Sequence, residues 1–335
     1  MPLTLDIFND DAFGVASLTA AINNPPEGQY VPTLLDSLFE EEGITTTSVM
    51  IERDGDALAL VPATERGAPG DVTVGSKRDM IPFSTLHLAT TGAIKADEVQ
   101  GVRAFGSESQ TQTVQNLVTQ RLLKMRQRLE ATLRYHRFGA VTGKIYDADG
   151  SRVLLDLHQR FGITAQSVAM ALGTETTDLQ QKIRDAKRKS EEDVIGGSGV
   201  ITGWLGVCGR GFYDAFVGHA TVKQAYDRWN DGQFLRDDLR KGFTFGEVTW
   251  KEFYGKVGSI SFIGEIDAYL IPVGVSELFI PRYAPADYME TVNTIGLPLY
   301  AKQELMRMNK GVALEAQSNP LNLCTKPRAV IKLTK

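Results

Sequence analysis

The most regular spacing of apolar residues along the chain falls between residues 109 and 138. Apolar side chains recur there three and four positions apart, at Val114, Val118, Leu122, Met125, Leu129 and Leu133. This is the period of one helix face, so the pattern predicts an amphipathic helix. At about 28 residues it would span roughly 40 Å, because a helix rises 1.5 Å per residue. Such a helix lies across a protein rather than inside a small core.

Extended segments precede this helix. Thr45–Glu52 is rich in β-branched residues, and Asp54-Gly55 before Ala57–Val61 is a hairpin signal. A polar, Gly- and Pro-containing stretch, 64–71, separates them from a second extended run at Ile81–Leu88. The pattern predicts a long two-stranded loop with a charged tip. Since isolated two-stranded ribbons are marginal in water, we expect the loop to rest on another surface. The short apolar clusters in residues 1–44, around the loop signal Asn23–Gly28, need another surface for the same reason.

After the helix the pattern becomes mixed. A hairpin is predicted over 144–157 around Asp149-Gly150, and a charged helix over 174–193. Val200–Cys208 is almost entirely apolar, as in a strand that is buried on both faces. Further elements are predicted as a helix at 221–229 and strands at 244–250, 259–263, 268–272, 312–317 and 328–333. We expect the last two strands to pair with the 144–157 hairpin.

Composition is that of an ordinary globular protein, with 42% hydrophobic and 23% charged residues among 335. The formal net charge of -5 gives no general attraction to DNA or to anionic membranes. Cys208 and Cys324 are far apart and are expected to be reduced thiols. No apolar run is long enough for a membrane span and no secretory signal is visible, so we expect a protein that is made and used inside a cell.

The search for chemistry gives no catalytic constellation. Four isolated histidines do not form a zinc motif. Gly196–Gly199 lacks the Lys-Ser/Thr of a phosphate loop, and Asp147–Gly150 lacks the later ligands of a calcium loop. No Gly-x-Ser-x-Gly occurs. We therefore predict no enzyme activity, cofactor or metal.

One electrostatic feature stands out on the predicted helix. Its polar faces carry cations at Arg121, Lys124, Arg126, Arg128, Arg134 and Arg137, against a single acid at Glu130. Either these residues lie near DNA or an acidic neighbouring chain, or they are a solvated face whose arginine stems cover apolar surface.

The order of the elements resembles the tailed-bacteriophage major capsid proteins of the lambda type, which share the capsid fold first seen in the Hong Kong phage. The resemblance covers essentially the whole chain. It is carried by Leu38-Phe39 with Gly43-Ile44, by Leu60–Pro62 with Arg66-Gly67, by Ile94–Gly106 and by Gln317–Leu321. The order and spacing of these stretches together are fairly specific.

The resemblance implies an α+β fold with an N-terminal arm at 1–44 and an extended β-hairpin loop at 45–105. A peripheral domain with the long spine helix would cover 106–160 and receive return strands from 301–335. An α/β axial domain would cover 161–300. The extended loop would lie over an adjacent subunit, with a tip formed by Arg66, Gly67, Pro69, Gly70, Asp71, Lys77 and Arg78. The covalent cross-link of the Hong Kong phage cannot be assigned, and Lys77 is a candidate for it by position alone.

The resemblance also implies the partners. Identical chains would form pentamers and hexamers of an icosahedral shell around double-stranded DNA. A cement protein, a scaffolding protein and a portal would join them, assembled in the host cytoplasm without a membrane. The alternatives from the residues themselves are a soluble α/β enzyme with its site near Val200–Cys208, and a DNA-binding module resting on Arg121–Arg137.

Overall fold

The computed structural model describes residues 14–24, 35–54, 78–99, 110–195, 200–225 and 242–335. Its α-helices are α1 (Val15–Asn23), α2 (Ala96–Val99), α3 (Gln110–Thr142), α4 (Leu157–Phe161), α5 (Leu179–Ile195) and α6 (Arg210–Gly218). Residues 220–225 are also helical.

The strands run from β1 to β18 in chain order. They are β1 (Glu42–Gly43), β2 (Ser48–Asp54), β3 (Arg78–Ser84), β4 (Leu88–Lys95), β5 (Lys144–Tyr146), β6 (Val153–Asp156), β7 (Ser167–Ala169), β8 (Gly203–Cys208), β9 (Phe243–Phe245), β10 (Val248–Glu252), β11 (Lys256–Val257), β12 (Ile260–Ser261), β13 (Asp267–Val273), β14 (Phe279–Tyr283), β15 (Tyr300–Leu305), β16 (Gly311–Ser318), β17 (Pro320–Cys324) and β18 (Ile331–Thr334).

The chain divides into two compact units. The first comprises Met1–Val49, Phe83–Arg134 and Ile280–Asn322, and the second comprises Met50–Pro82, Tyr135–Phe279 and Leu323–Lys335. Each unit therefore collects segments that are distant in sequence.

The core of the first unit forms between α3 and an antiparallel sheet in the order β15-β16-β4. The predicted helix is confirmed, and it runs four residues farther than the pattern indicated. Its apolar stripe is buried at Val118, Leu122, Met125, Leu129 and Leu133. The sheet supplies alternate residues to the same core, among them Ile94, Val312, Leu314 and Ala316, as the period of two requires.

Helix α1 completes this core. Leu18 and Ile22 are buried in it, and the Asn23 side chain donates a hydrogen bond to the carbonyl of Leu299 at 2.8 Å. The expectation that the early apolar cluster needs another surface is confirmed for Leu18.

Strands β2 and β3 pair in a two-stranded sheet. The predicted ribbon is thus confirmed for residues 48–54 and 78–84, although the second run is divided between β3 and β4. The predicted strand at Ala57–Val61 lies outside the described residues.

The second unit is built on a six-stranded sheet in the order β7-β18-β13-β8-β10-β9. Strand β8 is central, and Leu205 to Cys208 are buried, which confirms the prediction from its apolar run. It pairs parallel with β10 and antiparallel with β13. Helices α5 and α6 add Leu179, Ile183, Phe212 and Phe216 to its core. The predicted charged helix is therefore confirmed as α5.

Two strand predictions were wrong. The segment 244–250 is not one strand, because it reverses at Gly246 and Glu247, whose φ angles are 60° and 61°. Two successive left-handed residues make a tight hairpin turn between β9 and β10.

The terminal strands do not pair with the 144–157 hairpin either. That hairpin is confirmed as β5 paired with β6, but β16 pairs with β15 and β4, and β18 pairs with β13 and β7. Ile331 and Leu333 are fully buried in β18, and a six-stranded core buries such side chains far better than a two-stranded hairpin.

Candidate functional surfaces

The predicted loop tip falls almost entirely outside the described residues. This applies to Arg66, Gly67, Pro69, Gly70, Asp71 and Lys77, while the backbone of Arg78 opens β3. The surface that the structure describes is the root of the loop, where β2 begins and β3 ends.

The root is fastened by backbone and side-chain hydrogen bonds. The Thr85 N–H donates to the carbonyl of Thr47 at 3.0 Å, and the Thr85 hydroxyl donates to the same oxygen at 3.1 Å. The next residue, Leu86, donates its N–H to the carbonyl of Pro320 at 2.9 Å. The chain leaving the loop is thereby tied to the strand where the Gln317–Leu321 motif lies.

A buried amide cluster occupies that motif. The Asn319 side chain donates to the carbonyl of Pro285 at 2.9 Å, so its oxygen is the atom that faces His87. His87 Nδ1–H donates to this oxygen at 2.7 Å. The Gln317 side-chain oxygen accepts from the N–H of Asp287 at 3.1 Å and from the Asn319 amide at 3.4 Å.

Ser318 extends the cluster, because its hydroxyl donates to the carbonyl of Pro298 at 2.7 Å. Gln317 and Ser318 are fully buried, and buried polar groups without partners are costly. These residues therefore fix the backbone around the loop root. The motif carried part of the family resemblance, but its positioning role was not predicted from the sequence. A signal was available, since three consecutive polar residues fall at the junction of β16 and β17, two strands that are largely buried.

The cations of α3 separate into two groups. Arg121 forms an ion pair with Glu98 at 2.6 Å, and Arg126 forms one with Glu130 at 2.6 Å. Arg126 also donates to the carbonyl of Ile22. Arg126 is thus used to hold α1 against the helix, and both arginines have partners within the chain.

Lys124 and Arg128 are exposed, and Arg134 is half-buried. Lys124 and Arg128 lie four positions apart, so they project from the same helix face. Of the predicted cations, Lys124 and Arg128 are therefore the two whose charges are most accessible to a neighbouring chain or to a phosphate backbone.

The described residues offer little reactive chemistry. Cys208 and Cys324 are buried, and burial raises the pKa of the Cys324 thiol to about 12 and that of Cys208 well above its usual value. A thiol with a raised pKa is a poor nucleophile. Burial lowers the pKa of His136 to about 4. Across the described ranges, no three His, Cys, Asp or Glu side chains converge as a metal site, and no helix is both long and apolar enough to cross a membrane.

Comparison with known proteins gives a family match. A family model described as phage major capsid protein E matches residues 14–335. The major capsid protein of Pseudomonas phage KPP10 is 28% identical over 315 residues, covering 88% of this chain and 89% of that protein. The major capsid protein of Salmonella phage Felix O1 is 25% identical over 354 residues, covering 95% of each.

Solved structures share the fold at much lower identity. A prophage protein of E. coli CFT073, assigned as a capsid protein, superposes with a TM-score of 0.58 at 11% identity, covering 96% of this chain and 98% of that chain. A chain of the mature capsid of bacteriophage PhiM1 gives a TM-score of 0.52 at 12% identity, covering 93% and 89%. The fold expected from the sequence, an α+β capsid fold, is therefore confirmed.

Proposed function

The chain belongs to the phage major capsid protein E family and is a structural component of a phage capsid, and on this premise we propose how its copies build the shell. They assemble as pentamers and hexamers of an icosahedral lattice that encloses packaged double-stranded DNA. Assembly takes place in the host cytoplasm, and the chain acts by mechanical closure without catalysis. The comparisons give the alternative of a soluble α/β enzyme no support.

The observation that carries the proposal is the β2–β3 ribbon with its hydrogen-bonded root. Isolated two-stranded ribbons are marginal in water, so one that is built into a subunit gains stability by burying area against another surface. Obligate interfaces between subunits exceed about 2,000 Å². Within the extended loop assigned to residues 45–105, we propose that the part beyond the root, residues 48–84, lies over an adjacent copy, with 66–71, Lys77 and Arg78 at the far end.

The remaining segments have corresponding roles in this proposal. Residues 1–44 form an arm that reaches neighbouring copies. Residues 106–160 and 301–335 form the peripheral domain, and 161–300 form the axial domain around which pentamers and hexamers close. Each copy then makes several contacts, so the shell is stable although no single contact is strong.

Partners follow from the same proposal. A cement protein binds the outside of the lattice, a scaffolding protein guides assembly, and a portal fills one vertex. Contact with DNA is nonspecific and uses the exposed cations Lys124 and Arg128. Such contact depends on the salt concentration, because neutralising phosphates releases counterions.

The test is assembly of the purified chain, followed by sedimentation and negative-stain electron microscopy. The wild type is compared with a variant that lacks Arg66–Asp71 and with a charge-only control, Arg66→Gln with Asp71→Asn. We expect shells, rings or capsomer tubes from the wild type. The deletion should abolish them while the circular dichroism spectrum stays unchanged. Normal shell yield from the deletion variant would contradict the role of the loop.

A further inference from the structure

The segment between β14 and β15 exposes a row of apolar side chains in the first unit. Met289 is 88% exposed, Ile295 67%, Val292 57% and Leu297 43%. We call these four residues the ridge. Four exposed apolar side chains thus fall within the short segment 289–297, and exposed apolar residues that cluster in this way mark contact surfaces.

The ridge is held rigidly. The Thr291 hydroxyl donates to the carbonyl of Ala286 at 2.8 Å, and the Gly296 N–H donates to the carbonyl of Ile44 at 2.9 Å. The Leu297 N–H donates to the Tyr300 hydroxyl at 2.9 Å. These bonds fix the backbone on both sides of the exposed side chains. The apolar atoms are therefore displayed by a fixed loop rather than by a frayed one.

A second exposed apolar site lies at the β15–β16 turn. Met308 is 88% exposed and Leu305 is 41% exposed, and we call the turn 305–310 the tip. The Met306 N–H donates to the carbonyl of Gly311, and the Asn309 N–H donates to that of Met306, both at 2.9 Å. Met308 has a φ of 59°, a left-handed conformation that costs a non-glycine residue free energy. The structure thus holds an exposed methionine outward at a cost.

The ridge and the tip cannot cover each other within one chain. Strand β15 begins at Tyr300, three residues after the end of the ridge, and ends at Leu305 in the tip. Its six residues span roughly 17–20 Å, so the two apolar sites lie at opposite ends of one strand. Among the described residues, therefore, neither site can serve as the partner of the other.

Charge distinguishes the two sites. Beside the ridge, Asp287 and Glu290 are exposed, as is the acidic run Glu40–Glu42. This run directly precedes Gly43, whose backbone packs so closely on Ile295 and Gly296 that a Cβ would overlap them. In the part of the chain that the structure describes, Arg282 forms an ion pair with Glu42 and Lys302 forms one with Glu290. The surroundings of the ridge are therefore acidic.

The tip carries the opposite sign. Arg307 and Lys310 are exposed in the turn, and Lys95 lies opposite Gly311 in the adjacent strand. The exposed acids nearby are Glu304 and Asp97, while Glu98 forms an ion pair with Arg121. An apolar tip with basic flanks is complementary to an apolar ridge with acidic flanks.

We propose that the ridge of one copy receives the tip of a second copy. The contact is head-to-tail, because each molecule offers a different site to each of two neighbours. Contacts of this type close into rings or continue as open arrays, depending on the rotation between copies. The inference rests on the proposed function, since it identifies one of the contacts through which the copies assemble.

A cysteine pair across the contact tests this directly. The variant carries Val292→Cys in the ridge and Met308→Cys in the tip, and each single variant serves as a control. The native thiols, Cys208 and Cys324, are buried and do not compete for a short bis-maleimide cross-linker. Cross-linking is scored by denaturing gel in two samples, the assembled particles and the concentrated unassembled protein.

We expect a ladder of dimers, trimers and larger species from the double variant, and monomer from both single variants. Dimers from either single variant would show a two-fold contact and overturn the head-to-tail arrangement. Monomer throughout, in particles that assemble normally, would overturn the inference while leaving the proposed function intact. A ladder without shells would support the contact and count against the proposed function. Absence of both shells and ladder would reject both.

A second comparison measures how much the apolar side chains of the ridge contribute to assembly. Ile295→Asp places a charge in the contact, and Val257→Asp places one at a similarly exposed apolar position of the second unit, where the side chain is 48% exposed. Because burying an unpaired charge is costly, the first change should lower assembly yield by at least about tenfold, and the second by less than about twofold. Equal yields would remove the ridge from the interface. Matching circular dichroism spectra and urea midpoints establish that both variants fold.

Discussion

The amide cluster at the loop root offers the sharpest test of the structure through Asn319→Leu. Leucine has the same number and branching of side-chain heavy atoms, so the change removes hydrogen bonds without opening a cavity. The lost bonds are those to the carbonyl of Pro285, to the Gln317 side-chain oxygen and from His87. If the cluster is structural, the first unit loses stability although no apolar contact is removed.

The expected loss of stability depends on which of the three partners of Asn319 can form another hydrogen bond. His87 is exposed, so water substitutes for its lost acceptor. Gln317 keeps the hydrogen bond from the Asp287 N–H at 3.1 Å. The carbonyl of Pro285 loses the donor that Asn319, only 5% exposed, supplied, and such a loss costs about 1–3 kcal/mol. We expect a loss of about 2 kcal/mol in the free energy of unfolding.

The assay is urea unfolding followed by far-ultraviolet circular dichroism, in which the 33-residue α3 contributes strongly. With an m value of about 2–3 kcal/mol/M, the midpoint should fall by roughly 1 M. The matched control is Asn116→Leu, an exposed asparagine on α3, which should change stability by less than about 0.5 kcal/mol. A midpoint for Asn319→Leu equal to that of the wild type would refute the structural role of the cluster.

Two further predictions concern buried positions. Burial lowers the pKa of His136 to about 4 from 6.5, so the unfolded state binds its proton first as the pH falls. Stability should therefore decline between pH 6.5 and pH 4 by up to about 3 kcal/mol, and His136→Phe should remove that part of the slope in urea midpoints measured across this range. The same dependence of the urea midpoint on pH in the wild type and in His136→Phe would contradict this prediction. Separately, a Cβ at Gly296 would overlap the carbonyl oxygen of Tyr283, whereas none of the surrounding atoms lies within 4 Å of one at Gly173. Gly296→Ala should cost about 3 kcal/mol or more and Gly173→Ala less than about 0.5 kcal/mol, compared by thermal melting.

The elements best predicted from the sequence are those in which the buried residues form a regular spacing or an unbroken run within one segment. The stripe from Val118 to Leu133 lies on one helix face, and all five of its described positions are buried in one core. Strand β8 was equally legible, because a run that is apolar at every position requires cover on both faces. In both cases the pattern depends on residues that are close in sequence, so it can be recognised without knowledge of the tertiary fold.

The pairing of strands that are distant in sequence could not be predicted from such local patterns. Strand β18 pairs with β13 and β7, and its buried alternation at Ile331 and Leu333 suits any sheet with an apolar face. The hairpin turn at Gly246 was missed because Glu247, a residue that disfavours a left-handed backbone, adopts one there. The Glu247 side chain forms an ion pair with Lys187, sixty positions earlier in the chain. No local sequence pattern predicts such a contact.

The use of polar rather than apolar groups at the loop root has a geometric reason. Strand β2 has seven residues, so it extends roughly 23 Å from its root at about 3.3 Å per residue. A 10° error in its direction displaces the far end by about 4 Å, more than a hydrogen bond tolerates. Apolar burial is non-directional and does not prevent such a rotation, whereas hydrogen bonds fix both distance and angle. The bonds of Thr85, Leu86 and Asn319 lie at the root, about which such a rotation would occur. They fix the backbone there, and the proposed placement of the ribbon on a neighbouring copy depends on the direction in which it leaves the root.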